Sequence, residues 1–225
     1  MNLLLVSATN DEIKPLKNLL KKESQLSFGL ERYEHKNTII DILVTGVGMV
    51  STAFRLGKVF ENNKYDFVLN LGIAGSFKKE IEIGKVVNVK TEIFSELGIE
   101  DNETFIPLYK TGLGTESKIF EEGKLINNSV LNNSEIKKLI EVTGITVNTV
   151  HGNFESIEKI RKLFEPDIES MEGAAFFFAC KNEKISFAEL RAISNYVEPR
   201  NKNKWNISEA IKNLNNIAMK IINSF

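Results

Sequence analysis

LLLVSATNDE, residues 3–12, runs from an unbroken apolar stretch straight into helix-starting chemistry. Leu3 to Ser7 reads as a buried strand, because a short continuous apolar run has no solvent face. Thr9 or Asn10 then accepts from exposed helix amides, and Asp11 and Glu12 suit the positive end of the helix dipole. Ile13, Leu16, Leu19 and Leu20 give the helix that follows one apolar face. A buried strand feeding a capped amphipathic helix is the building unit of an α/β fold.

The same alternation continues outward. "LSFGLERYEH" and "NTIIDILVTGVGM" read as two strands joined by a turn near Lys36-Asn37, followed by a helix from about Val50 to Glu61. "YDFVLNLGIAGSF" is a buried strand ending in glycines, and "KVVNVKTEIF" is strand-like. "ITVNTVHGNF" predicts a strand, with a helix through about Phe164. "MEGAAFFFACK" is an almost entirely apolar helix, so it should be buried on most sides. "ISFAELRAISN" is the last strand, and Ile211, Leu214, Ala218 and Ile221 mark a terminal amphipathic helix from Ser208. Strands alternating with helices predict a largely parallel or mixed sheet covered on both faces. The least regular part, about Ser95 to Leu131, reads as an excursion or lid and not as a second domain. The expectation is one domain over residues 1–225.

Composition narrows the function. With 225 residues and 42% hydrophobic content the chain can build a substantial core. A formal net charge of −1, without long basic or acidic runs, removes the electrostatic case for nucleic acid or a membrane surface. The lone Cys180 excludes an internal disulfide and reads as a packed core thiol. One Cys and two distant His, His35 and His151, make no metal-ligand cluster. The N-terminus lacks the basic flank and length of a signal peptide, and no stretch approaches the length of a membrane span, so a cytoplasmic protein is expected.

Four segments, "SATNDE", "TGVGM", "NLGIAGS" and "RAISN", fall at predicted C-terminal strand ends or on the helix that follows. Ligands of open α/β sheets collect at that edge. "TGVGM" is a lone G-x-G with Ser51 where a dinucleotide fingerprint needs its third glycine, so it reads either as a tight turn or as amides aimed at a ligand. Gly72 and Gly75 let the backbone approach a ligand closely. Glu12 is either a first-turn dipole residue or, turned inward, a base. Glu172 opens a helix whose other residues are nearly all apolar, so its carboxylate needs a partner; a ligand diol is one and the helix N-terminus another. Glu169, three residues earlier, is expected to be solvated. Arg191, on a buried strand, must find an internal carboxylate.

Taken together, "SATNDE", "GVGM", "NLGIAGS", "SMEGAA" and "RAISN" resemble the purine and uridine phosphorylase superfamily over essentially the whole chain, and within it the nucleosidase branch. "NLGIAGSF", "FSELGIEDNETF" and "RAISNYVEPRNKNKW" look most similar to its futalosine hydrolase family. The resemblance implies a three-layer α/β/α sandwich around a mixed, partly barrel-like sheet. It implies a homo-oligomer of two or more subunits in which a neighbour closes part of the pocket, and no metal or organic cofactor. The substrate it implies is a small nucleoside: futalosine, cleaved by water to hypoxanthine and dehypoxanthine futalosine on the futalosine route to menaquinone. Methylthioadenosine/S-adenosylhomocysteine nucleosidase or another purine nucleosidase is the alternative.

Roles follow from the resemblance residue by residue. Glu12 matches the carboxylate that activates water, Glu172 the acid on the ribose hydroxyls, and Met171 the residue packed on the ribose. Asn195 falls where adenine-specific nucleosidases carry an aspartate. Phe154 is expected as a wall for the base, and Ile73 and Gly75 as substrate-contacting backbone. Ile73 and Ser76 replace a serine and a glycine of the generic nucleosidase pattern, and Ser170 replaces a glutamate. An amide at Asn195 can donate to the N7/O6 edge of hypoxanthine, where an ionised aspartate would repel both acceptors; it can also pair with adenine. Arg200 is either an anchor for the substrate carboxylate or a member of a loop ion pair.

Overall fold

A computed structural model of the chain describes residues 1–36, 38–113, 118–129 and 133–225. The strands are β1 (Asn2–Ser7), β2 (Lys21–Gln25), β3 (Leu30–His35), β4 (Thr38–Val44), β5 (Phe67–Ser76), β6 (Val86–Phe94), β7 (Gly98–Asp101), β8 (Thr104–Pro107), β9 (Lys124–Ile126), β10 (Ile140–Thr146), β11 (Ile168–Ser170) and β12 (Phe187–Tyr196). The α-helices are α1 (Asn10–Lys17), α2 (Met49–Asn62), α3 (Phe154–Phe164), α4 (Gly173–Asn182) and α5 (Ile207–Asn223).

One mixed sheet runs in the order β11-β10-β6-β12-β5-β1-β4-β3-β2, and β9 adds to β6. β11 also pairs antiparallel with β5, so β5, β12, β6, β10 and β11 close into a ring. The expected α/β fold with a central mixed sheet is present, and the barrel-like part is this ring. Strand alternation builds the two outer layers. In β1, Leu3 and Leu5 enter the core shared with α1 and α5, while Leu4 and Val6 enter the core shared with α2 and α4. Phe176 and Phe177 of α4 pack edge-on against Phe187 of β12 in that second core. A smaller core under α3 joins Ile157 and Ile160 to Ile145 and Val197. Cys180 is a buried core thiol, as expected.

Several expectations shift. The predicted strand at 145–154 lies earlier, at Ile140–Thr146; the β-rich residues after it form a loop whose first amide, Val147 N–H, donates to Ser170 C=O at 3.0 Å. Helix α1 ends at Lys17, so Leu19 is 63% exposed and only Leu20 returns to the core. The polar strand β2, all of it exposed, carries no apolar alternation by which a sequence reading finds it. The excursion at 95–131 contains the β7–β8 hairpin and β9; Asn37 of the expected turn, and 114–117 and 130–131 of the excursion, lie outside the described residues. Among the described residues no helix is long and apolar enough to cross a membrane.

Helix α1 is held in place by α5. Asn215 is buried; its Oδ1 accepts from Leu16 N–H at 3.0 Å, and its Nδ2 donates to the C=O of Glu12 at 2.7 Å. The step it grips contains Pro15, which contributes no N–H to the helix. Replacing Asn215→Leu strips both backbone groups of this partner, and stability falls by roughly 1–3 kcal/mol. Urea unfolding reads this as a lower midpoint at unchanged slope.

Candidate active site

Arg191 lies in the middle of β12 and is 1% exposed, the largest of the fully buried side chains. Its Nε donates to Glu189 Oε1 at 2.7 Å, and its Nη1 lies 3.4 Å from Glu172 Oε2. Burial alone would lower the pKa of the guanidinium; the charges of Glu189, Glu172 and Glu12 outweigh that and push it up. The guanidinium lies over the backbone of β5 at Gly72, where a Cβ would stand 2.1 Å from Nη1. This is why the strand carries a glycine there. The internal carboxylate that the sequence demanded for Arg191 is thus two carboxylates.

Around this cation two acids reach the same cavity, about 330 Å³ in volume, at the C-terminal ends of β1, β5, β11 and β12. Glu12 is buried in the first turn of α1. Its Oε2 accepts from Thr9 N–H at 2.9 Å and Thr9 Oγ1 at 2.8 Å, and Thr9 caps the helix in return. Its Oε1 accepts from Ile73 N–H at 3.1 Å. One oxygen of Glu12 therefore belongs to the capping box and the other turns inward to β5. Glu172 stands at the start of α4 on the other side; its Oε1 accepts from Gly48 N–H at 3.0 Å. Gly48 has φ +96°, a backbone state that suits glycine, so the second glycine of "TGVGM" orients a carboxylate.

Asn195 closes the cavity on the β12 side. Its Oδ1 accepts from Ser194 Oγ at 2.7 Å and its Nδ2 donates to Tyr196 C=O at 3.0 Å. An amide nitrogen carries two N–H groups, so one is left for a ligand. Ile73, Gly75 and Met171 also line the cavity. Two expected residues do not. Phe154 starts α3 and is 65% exposed, because the loop before it ends in the Asn153 cap and turns the ring outward; Trp205 and Val150 wall the cavity instead. Arg200 is exposed outside the lining and makes no ion pair among the described residues; its guanidinium lies 5.2 Å from the ring of Trp205.

Glu169 is not solvated. It is 4% exposed because β11 pairs with both β10 and β5, which turns its side chain into the cavity wall beside His151. Neither residue stood out as a site residue in the sequence. The signal available was the position of His151, just past a strand at the edge where the other site segments end.

Behind Arg191 lies a further acid. Glu92 of β6 is fully buried; its Oε2 accepts from Thr146 Oγ1 at 2.7 Å and its Oε1 has no partner among the described residues. Burial, then the charge of Glu189, pushes its pKa well above the ordinary carboxylate range. Glu189 is also raised by burial, but Arg191 opposes that rise, so the proton resides on Glu92. With Glu12, Glu172 and Glu189 grouped about one arginine, the buried charge beside the cavity is negative. Among the described residues no three His, Cys, Asp or Glu side chains are grouped to hold a metal ion.

Comparison with known proteins agrees with this architecture. Residues 2–223 match the family model of the phosphorylase superfamily. A futalosine hydrolase of Thermus thermophilus is 28% identical over 187 residues, 83% of this chain and 83% of that protein. A 5′-methylthioadenosine/S-adenosylhomocysteine nucleosidase of Haemophilus ducreyi is 28% identical over 202 residues, 86% of this chain and 84% of that one. The solved nucleosidase of the latter kind from Colwellia psychrerythraea 34H, in complex with adenine, shares the fold with a TM-score of 0.81 at 18% identity, covering 100% of this chain and 95% of its own.

Folded Glu92 keeps a proton that the unfolded chain releases above the ordinary carboxylate range, so folding takes up a proton. Its contribution to stability is fully present below the unfolded value and is lost as pH rises through the folded one. Glu92→Gln, an isostere of the neutral acid, removes that loss. Thermal unfolding between about pH 5 and pH 9 should show a flatter decline for the variant than for the parent.

Proposed function

The chain belongs to the phosphorylase superfamily, and we propose that it is one of the superfamily's hydrolases, cleaving the N-glycosidic bond of futalosine to release hypoxanthine and dehypoxanthine futalosine in the cytoplasm, on the route to menaquinone. The observation that carries this reading is the set of groups on one cavity. Two buried carboxylates, Glu12 and Glu172, face an amide, Asn195, in the place where the adenine-specific branch is expected to hold an aspartate. Futalosine hydrolases among the relatives support the choice of substrate.

Glycosidic cleavage passes through an oxocarbenium-like sugar. The excess negative charge around Arg191 favours that developing cation. Glu12, its carboxylate fixed by Thr9 and Ile73, orients water and takes its proton. Glu172, fixed by Gly48 and Arg191, accepts from the ribose hydroxyls, and Met171 packs against the sugar. Asn195 donates its remaining N–H to the hypoxanthine edge, beside the backbone of Ile73 and Gly75. Arg200, stacked on Trp205, stands outside the cavity lining as the anchor for the substrate's carboxylate. A second subunit covers the remaining open side.

The alternative substrate is methylthioadenosine or S-adenosylhomocysteine, since relatives of that activity match to the same identity and an amide can pair with adenine as well. Incubating the protein with futalosine, inosine and methylthioadenosine, with and without phosphate, and identifying the released base separates the readings. Hypoxanthine from futalosine without phosphate is the expected product; adenine release alone, or a requirement for phosphate, overturns the proposal. Glu12→Gln should cut turnover by roughly 100-fold or more, and near-parental hydrolysis would remove Glu12 from the role of base. Asn195→Asp should move the preference toward 6-aminopurines, read as the ratio of kcat/KM on methylthioadenosine and futalosine; an unchanged ratio means that the base edge is read elsewhere.

A further inference from the structure

Half-buried His151 and buried Glu169 form a pair on the wall of the same cavity, and no step above uses it. His151 Nδ1 lies 2.7 Å from Glu169 Oε2, and the His151 main-chain N–H donates to Glu169 Oε1 at 3.1 Å. Both oxygens of a buried carboxylate are thus engaged by one residue. A carboxylate on Nδ1 fixes the plane of the ring, keeps the Nδ1 proton in place and stabilises the imidazolium form. Nε2 bonds no protein atom among the described residues, and the ring lines the cavity.

The pair stands next to Asn195. In the sheet, Gly75 of β5 is flanked by Asn195 of β12 on one side and by Glu169 of β11 on the other. A Cβ on Gly75 would lie 3.2 Å from Asn195 Nδ2 and 3.6 Å from Glu169 Cγ. The amide and the carboxylate that holds the imidazole therefore close on one point of the wall. Hypoxanthine offers two adjacent acceptors on one edge, N7 and O6. Asn195 can donate a hydrogen bond to one of them but cannot give up a proton, and a base that leaves with the glycosidic electron pair needs one.

Resting on the nucleoside-hydrolase reading above, we propose that His151, oriented by Glu169, is the general acid that protonates N7 of the departing base while Asn195 donates to O6. The C1′–N9 bond breaks and its electron pair goes to the purine. The Nε2 proton passes to N7, the water oxygen bonds to C1′, and the water's proton passes to Glu12. His151 then regains a proton from solvent and Glu12 releases one, so the net reaction consumes one water. His151 also lines a second cleft, beside the β7–β8 hairpin, which gives the ring another approach to solvent. Glu169 is a positioning residue that acts through the ring.

The test compares kcat/KM of the parent, His151→Ala and Glu169→Gln on futalosine and on N7-methylfutalosine, whose base departs neutral without a proton at N7. His151→Ala should lose about 100-fold or more on futalosine and stay within about threefold of the parent, or rise, on the methylated substrate, where the acid step is bypassed. Glu169→Gln should show the same substrate split with a smaller loss. Near-parental cleavage of futalosine by His151→Ala overturns the assignment. Equal losses on both substrates overturn it too, and give His151 a part in folding or in holding the sugar. A parent protein that releases no base from futalosine instead overturns the nucleoside-hydrolase reading, and the acid with it.

Discussion

A guanidinium buried in the centre of a sheet organises this molecule. Arg191 has no access to water, so its charge must be met within the protein, and desolvation makes that requirement severe. Glu189 meets it from the same strand, two residues away, and Glu172 from the cap of α4. The same guanidinium occupies the space over Gly72 where a side chain would otherwise project. Strand β12, strand β5 and helix α4 are thereby fixed relative to one another at the place where their ends form the cavity. Removing the cation would leave buried carboxylates without a counter-charge beside the cavity.

The site is a consequence of the strand order. β5 is the common neighbour: it pairs with β1, β12 and β11; Asn195 and Glu169 lie within the last two of these strands, and Glu12 lies on the helix after β1. Closure of β11 onto β5 turns an open sheet edge into a cup. Helix starts then aim the carboxylates. Glu12 is held by the Thr9 cap of α1, and Glu172, at the start of α4, is held by the amide of Gly48 at the start of α2, so each acid is positioned by a backbone group that a helix end leaves free. At Glu12 the capping box and the orientation of the carboxylate use the same hydrogen bonds, which restricts what can replace it.

Charge distribution follows from the same arrangement. Three acids surround Arg191, and the fourth, Glu92, is kept neutral because burial and Glu189 make a further negative charge too costly. The cavity floor stays negative, while the Asn195 amide lies on the wall where Gly75 separates it from Glu169.

The chain itself determined the α/β alternation, because continuous apolar runs such as Leu3–Val6 and Phe67–Leu69 have no solvent face, and capping residues announce the helices after them. It also made Glu12, Glu172, Arg191 and Asn195 legible, since each is a polar residue placed at the end of an apolar run or inside one. It did not reveal Glu169, which looked solvated because its neighbour across the sheet, Gly75, is distant in the chain. Nor did it reveal His151, whose meaning depends on that carboxylate, or the outward turn of Phe154. Glu92 and Glu189 stood unremarked in strands whose burial on both faces is set by the layers. Local periodicity reports which backbone forms; only the pairing of β11 with β5 and the packing of two helical layers decided which charges meet, because a pKa, a hydrogen-bond partner and a cavity wall are properties of groups brought together from far apart in the chain.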